Sequence, residues 1–251
     1  MMPILDPLFY AVAIPAVLLL GLSKSGFGAG FGSLAVPMMA LAVPVPDAAA
    51  IFMPLLLVMD VLTLKALRQD LDGPLLRFLL PWGLLGIAMG ALLFHALDAR
   101  TVAGLVGVLA WAFLAQRKLF APRPDAPPPR AWWGALLTVT SGFTSFVSHS
   151  GGPPVNAYVI PLRLAPMAFT ATMAAFFFVI NLSKWVPYAW LGLLDWKNLS
   201  TSMVLMPLAP IGVWTGIRVA RRISPLWFYR LVDWGMFLTG AKLIWDGFLA
   251  A

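Results

Sequence analysis

The chain has no cysteine and no glutamate, and it carries little charge of either sign. Without cysteine there is no disulfide framework, no thiol chemistry and no thiolate metal site. The ten acidic residues are all aspartate, and only 11% of the 251 residues are charged, against about 25% in a soluble domain. So few charges cannot cover the surface of a water-soluble protein of this length, which excludes a cytosolic enzyme, a disordered tail and a nucleic-acid module. The two histidines, His95 and His149, stand far apart, so no histidine-rich zinc site is expected, and no residue pattern calls for a cofactor. Met1–Pro7 contains no lysine or arginine, so the first apolar run lacks the positive start of a cleavable signal and is expected to be retained. What is abundant is apolar: 61% of the residues are hydrophobic, and the basic residues behind the net charge of +7 fall between apolar stretches. That distribution reads as membrane topology rather than nucleic-acid binding.

A membrane span needs about 20 mostly apolar residues. Six segments meet this simply, at roughly 46–67, 73–95, 100–120, 166–191, 196–217 and 225–249. Two further apolar stretches are interrupted. Pro7 to about Val43 is broken by Ser23-Lys24-Ser25-Gly26-Phe27-Gly28-Ala29-Gly30-Phe31-Gly32, and Ala131 to about Pro161 is broken by Ser148-His149-Ser150-Gly151-Gly152-Pro153-Pro154. Glycine and proline release backbone groups that lipid cannot satisfy, so such breaks survive only inside protein or beside a water-filled cavity. The economical reading is a pair of re-entrant helical hairpins with tips at membrane depth.

Residues 121–130 form a Pro-rich linker that divides the chain almost in half. The same order of features occurs on either side: Leu80-Pro81 answers Met206-Pro207, Gly86 and Gly90 answer Gly212 and Gly216, and the two Ser-x-Ser-Gly tips answer each other. The expected fold is therefore an all-α integral membrane protein of two inverted repeats, 1–120 and 131–251, each a broken hairpin followed by three spans. If each hairpin enters and leaves on one side, one face receives Lys65, Arg68, Arg77, Arg117, Lys118, Arg123, Arg130, Arg163, Arg218, Arg221, Arg222 and Arg230. The other receives only Arg100, Lys197 and Lys242. The positive-inside rule then makes the linker cytoplasmic and puts both termini outside.

Lys24 and Lys184 remain inside apolar segments, where an ionisable residue is costly and defaults to a functional role. The tips supply hydroxyls at Ser23, Ser25, Ser148 and Ser150, and backbone N–H groups near Gly26, Gly28, Gly151 and Gly152. Lys24 adds a full charge, His149 an imidazole that donates or changes charge with pH, and Asn156 an amide. Asn181 and Lys184 lie near the end of the fourth simple span; Lys184 either snorkels to the surface, adds charge to the site or pairs with Asp60. Asp60 is the candidate carrier of a coupling proton, with a helix-packing contact as the alternative. These features suit a small anion. An organic tail would need an apolar niche, for which Phe27, Phe31, Phe143, Phe146 and Trp185 are candidates. The glycine run matches neither a dinucleotide nor a P-loop spacing.

Four stretches resemble the TauE/SafE-type sulfite exporter family. They are Gly21-Leu22-Ser23-Lys24-Ser25-Gly26-Phe27-Gly28-Ala29-Gly30, Ser141-Gly142-Phe143 through Pro153-Pro154, Asn181-Leu182-Ser183-Lys184-Trp185, and Gly212-Val213-Trp214-Thr215-Gly216 followed by Ala220-Arg221-Arg222-Ile223-Ser224. The resemblance implies two homologous halves that carry sulfite, sulfonates or related organosulfur anions across the bacterial inner membrane. The expected function is thus secondary transport of a small inorganic or organic sulfur anion by alternating access, with a passive anion channel as the alternative. An intramembrane enzyme lacks a metal-ligand cluster and a carboxylate near His149 in sequence. The residues do not give the oligomeric state.

Overall fold

The computed structural model describes residues 3–25, 31–119, 129–220 and 225–250. Every regular element among them is helical. The first half contains α1 (Pro7–Ser25), α2 (Ala35–Met39), α3 (Val45–Leu67), α4 (Gly73–Ala96) and α5 (Ala99–Leu119). The second contains α6 (Ala131–Ser148), α7 (Gly152–Val159), α8 (Pro166–Ser183), α9 (Trp185–Trp190), α10 (Trp196–Leu205), α11 (Leu208–Ala220) and α12 (Pro225–Ile244). Within the described residues, five segments are long and apolar enough to cross a membrane: 7–24, 45–65, 73–94, 99–116 and 166–190. The chain is a multi-pass helical membrane protein.

Aspartates set several helix starts. Asp72 accepts from the Leu75 N–H at 2.9 Å, Asp98 from Thr101 at 3.0 Å and Asp195 from Asn198 at 2.7 Å, each satisfying a donor that the first turn leaves over. Hydrogen bonding to Thr101 holds the Asp98 carboxyl below its ordinary range. Prolines set two breaks. Pro207 has no N–H for the Met203 carbonyl, so the expected single span over 196–217 divides into α10 and α11. Pro187 likewise cannot bond the Ser183 carbonyl, and the helix is interrupted at Lys184, between α8 and α9. Pro81 stands at the matching position of the first half, yet α4 runs through it unbroken.

Two helices form the centre. Ala48, Ala49, Ala50, Ile51, Phe52 and Met53 of α3 have no exposed surface, although they point in all directions around the helix. A helix buried on every side is surrounded by protein. Ala171 through Phe177 of α8 are also buried, with Met173, Ala174 and Phe177 reaching a cavity, and α8 packs on α3. The outer helices expose large apolar side chains such as Leu92, Trp214 and Trp234, which suits a lipid solvent.

The remaining long helices pack across the two sequence halves, α1 along α11, α6 along α4 and α5 along α12. Glycine makes each approach close. A Cβ on Gly142 would collide with the Gly83 carbonyl oxygen, one on Gly86 with the Val139 carbonyl oxygen, and one on Gly21 would sit 2.6 Å from the Gly212 carbonyl carbon. Lipid offers no hydrophobic drive for helix association, so backbone proximity of this kind is a main source of packing energy. Gly142→Val is expected to lower the thermal midpoint in detergent by several degrees, corresponding to about 1–3 kcal/mol or more of overpacking. Gly73→Ala, at a position with open space around it, is expected to leave the midpoint near that of the parent.

Candidate functional site

Three helix ends or breaks meet at one place, against the continuous helix α3. Lys24 lies at the last turn of α1, Asp60 on α3, His149 at the turn between α6 and α7, and Lys184 at the break between α8 and α9. His149 takes a left-handed backbone conformation, φ 54°, which a residue with a Cβ adopts only at a cost. Its N–H bonds back to the Ser145 carbonyl at 3.0 Å, and Ser150 N–H bonds to Thr144 at 3.2 Å. These bonds close α6 and swing the imidazole toward α3.

The side chains form one connected network. Lys24 Nζ donates to Asp60 Oδ1 in an ion pair. Asn181 Nδ2 donates to Asp60 Oδ2. Lys184 Nζ donates to Asn181 Oδ1 at 2.8 Å and to the Ser145 carbonyl at 2.8 Å, and lies 2.9 Å from His149 Nδ1. His149 Nε2 is 2.8 Å from the Ala49 carbonyl oxygen. A carbonyl only accepts, so Nε2 carries a hydrogen and Nδ1 faces Lys184. Lys184 and Asp60 are both 0% exposed, and the Lys24 side chain is 18% exposed. Lys184 therefore does not snorkel. Nor does it take the carboxylate, whose ionic partner is Lys24. Two lysines share one aspartate, so the cluster holds one unit of positive charge when both are ammonium ions and His149 is neutral.

A cavity of about 490 Å³ opens against this cluster. Ser23, Lys24, Asp60, His149, Gly152, Asn156 and Asn181 border it, while Lys184 lies behind them. The rest of the wall is mainly apolar, including Leu56, Val159, Leu164, Phe169, Met173 and Phe177. Lys24 Nζ sits 5.2 Å from the centre of the Phe177 ring, within range of a cation–π contact. Ser23 Oγ accepts from the Gly32 N–H at 3.0 Å, and Ser150 Oγ reaches the Ser33 carbonyl at 3.5 Å, so the two interrupted stretches meet. Asn156 is 8% exposed, and its Oδ1 is buried without a hydrogen-bond partner among the described residues.

Not every candidate from the sequence faces this space. Ser148 Oγ and Ser150 Oγ lie 3.0 Å apart, Thr144 donates to the Ser150 carbonyl at 3.1 Å, and Ser141 to the Gly151 carbonyl at 2.6 Å. Those groups hold the turn together. Both nitrogens of His149 are also engaged, so the ring has no hydrogen directed at the cavity. Gly26 and Gly28, like the Ser25 side chain, lie outside the described residues. The apolar wall differs from the expected niche. Phe146 packs on Phe94 and Tyr188, and Phe143 and Trp185 do not border the cavity, while Phe27 and the Phe31 side chain lie outside the described residues. Ser145, Thr63 and Phe177 were missed. Helical spacing held the signal for two of them, because Thr63 follows Asp60 by one turn and Phe177 precedes Asn181 by one turn.

A helical membrane protein with a buried cluster of two lysines, an aspartate and a histidine beside a mostly apolar cavity has the features of a solute transporter. The chain belongs to the sulfite exporter TauE/SafE family, whose sequence model matches residues 13–243. No curated protein and no solved structure matches it. The family is one of membrane transporters, not enzymes, and implies export of sulfite or a related sulfur anion.

Proposed function

We propose that this chain is a secondary transporter that binds a small sulfur-containing anion in the cavity beside Lys24. The carrying observation is the Lys24 ammonium at the edge of a mostly apolar space, with the buried Lys184 behind the wall and Asp60 as the carboxylate between them. An ammonium has three hydrogens, and Lys24 has one hydrogen-bond partner among the described residues, Asp60. Its remaining hydrogens meet the anion. Ser23 adds a hydroxyl and Gly152 a small surface beside the second tip. Asn156 adds an amide that offers N–H groups when turned over. Asp60 fixes the position of Lys24, and Asn181 ties that pair to Lys184. Ser25, Gly26 and Gly28 complete the first tip in this reading, and Ser148, Ser150 and Gly151 shape the second. The apolar wall favours a sulfonate with a short carbon tail over bare sulfite, because bare sulfite would leave that surface against water.

Alternating access rests on two inverted repeats, 1–120 and 131–251. Support comes from the reciprocal packing of α1 on α11 and α6 on α4, and from equal intervals between Gly21 and Asp60 and between Gly142 and Asn181. Re-entrant hairpins are supported by length. The eight residues of α7 rise about 12 Å, well short of a hydrocarbon core of about 30 Å. With the linker 121–130 cytoplasmic in a bacterial inner membrane, a cysteine replacing Ala126 is expected to be labelled only from the cytoplasmic side. Labelling from outside would reverse the orientation.

Calorimetry with sulfite and ethanesulfonate tests the site. Lys24→Ala is expected to weaken binding at least tenfold, the range of a lost charge-assisted hydrogen bond of about 1.5–3 kcal/mol. Arg100→Ala, at the exposed start of α5, is expected to leave it unchanged. Equal binding by Lys24→Ala and the parent would remove the cavity from the account.

A further inference from the structure

We propose that Lys184 and His149 together hold one exchangeable proton, and that this proton binds and moves with the anion. The inference rests on the transport reading above and names its coupling ion. It also moves the coupling site away from Asp60, which is occupied as the counter-ion of Lys24.

The geometry around Nζ carries the argument. With the proton on Lys184, the ammonium donates to three acceptors, the Ser145 carbonyl, Asn181 Oδ1 and His149 Nδ1. With the proton on His149, the Lys184 amine donates to the two oxygens and accepts from Nδ1–H, while Nε2–H keeps its bond to Ala49. Every hydrogen bond survives the transfer, so no polar group is left unsatisfied in either form. The two partners differ in access. His149 borders the cavity, and Lys184 does not. After transfer from Nζ to Nδ1, the ring turns its Nδ1–H away from Lys184 to a water molecule in the cavity and releases the proton there, which leaves a neutral amine and a neutral imidazole, with the proton on water.

Among the described residues the other ionisable groups facing the pair are few. They are Lys24 from α1, Asp60 from α3, and Tyr188 from α9, whose ring stacks on His149 and whose hydroxyl donates to the Phe146 carbonyl at 2.7 Å. Tyr158 of α7 packs on Phe78 instead. With the pair protonated the cluster is positive, and with it deprotonated the Lys24–Asp60 pair leaves it neutral. An anion therefore favours the protonated form, and by linkage its binding takes up a proton. Affinity falls as pH rises through the titration of the pair.

The test uses ethanesulfonate, which stays an anion throughout, and measures proton uptake on binding in weakly buffered detergent solution between about pH 5 and 9. The parent is expected to take up as much as one proton per anion, with the maximum at the pH where its affinity changes most steeply. His149→Asn is the informative variant. Asparagine tolerates the left-handed backbone and presents an oxygen to Lys184, but it carries no exchangeable proton at the cavity. Its proton uptake per bound ethanesulfonate is expected to fall to near zero, whatever its affinity. Parent binding without proton uptake at any pH overturns the coupling proposal and leaves the transport reading standing, and this measurement needs no variant to fold. Uptake by a folded His149→Asn variant equal to that of the parent also overturns it. A parent that binds neither ethanesulfonate nor sulfite overturns the transport reading, and the coupling proposal with it.

Discussion

An ammonium ion buried beside an existing ion pair has to be held by something other than a carboxylate, because Asp60 already serves Lys24. Here the nitrogen of the second lysine is held by a backbone carbonyl, an amide oxygen and an imidazole nitrogen. Removing a charge from water costs several kcal/mol even after relaxation, and it is recovered only when the surrounding groups are well placed. Those acceptors come from α6, its terminal turn and α8, and the ion pair spans α1 and α3. The network therefore constrains four long helices at once, and the site and the core are not separable.

Backbone geometry makes that constraint possible. The break at Lys184 follows from Pro187, which cannot continue the α8 ladder, and it leaves the side chain among neutral acceptors. The left-handed turn at His149 points the ring at Ala49 of α3, within the most deeply buried run of the molecule. Glycines hold the surrounding helices close: Gly142 against Gly83 and Gly86, and Gly21 against Gly212. A transporter of this kind needs an unyielding frame and a few local breaks where polar groups can gather. Both requirements are met by residues with little or no side chain.

Much of the frame was legible in the sequence because the bilayer imposes a length. Spans read at 46–67, 73–95 and 100–120 agree within one residue with α3, α4 and α5. Lys24, Asp60, Asn181 and Lys184 stood out because polar groups in apolar helices are rare. Their pairing was not legible. Which lysine takes Asp60 depends on how α1 and α8 lie against α3, and no local pattern records that. The tip serines show a different limit. Ser148 and Ser150 have the composition of an anion site, yet their hydroxyls close the turn, because a tight left-handed turn uses nearby donors first. Pro81 and Pro207 mark a third. They occupy matching positions, but only the second divides its helix.

In the proposed binding mode the anion sits against Lys24 with its carbon tail on the apolar wall. The most direct measurement is a crystal structure with 2-bromoethanesulfonate, using anomalous scattering to locate bromine. A sulfonate oxygen is expected within hydrogen-bond distance of Lys24 Nζ, with a bromine peak near Phe169 and Met173. Bromine density confined to any other part of the molecule, with this cavity empty, would contradict it.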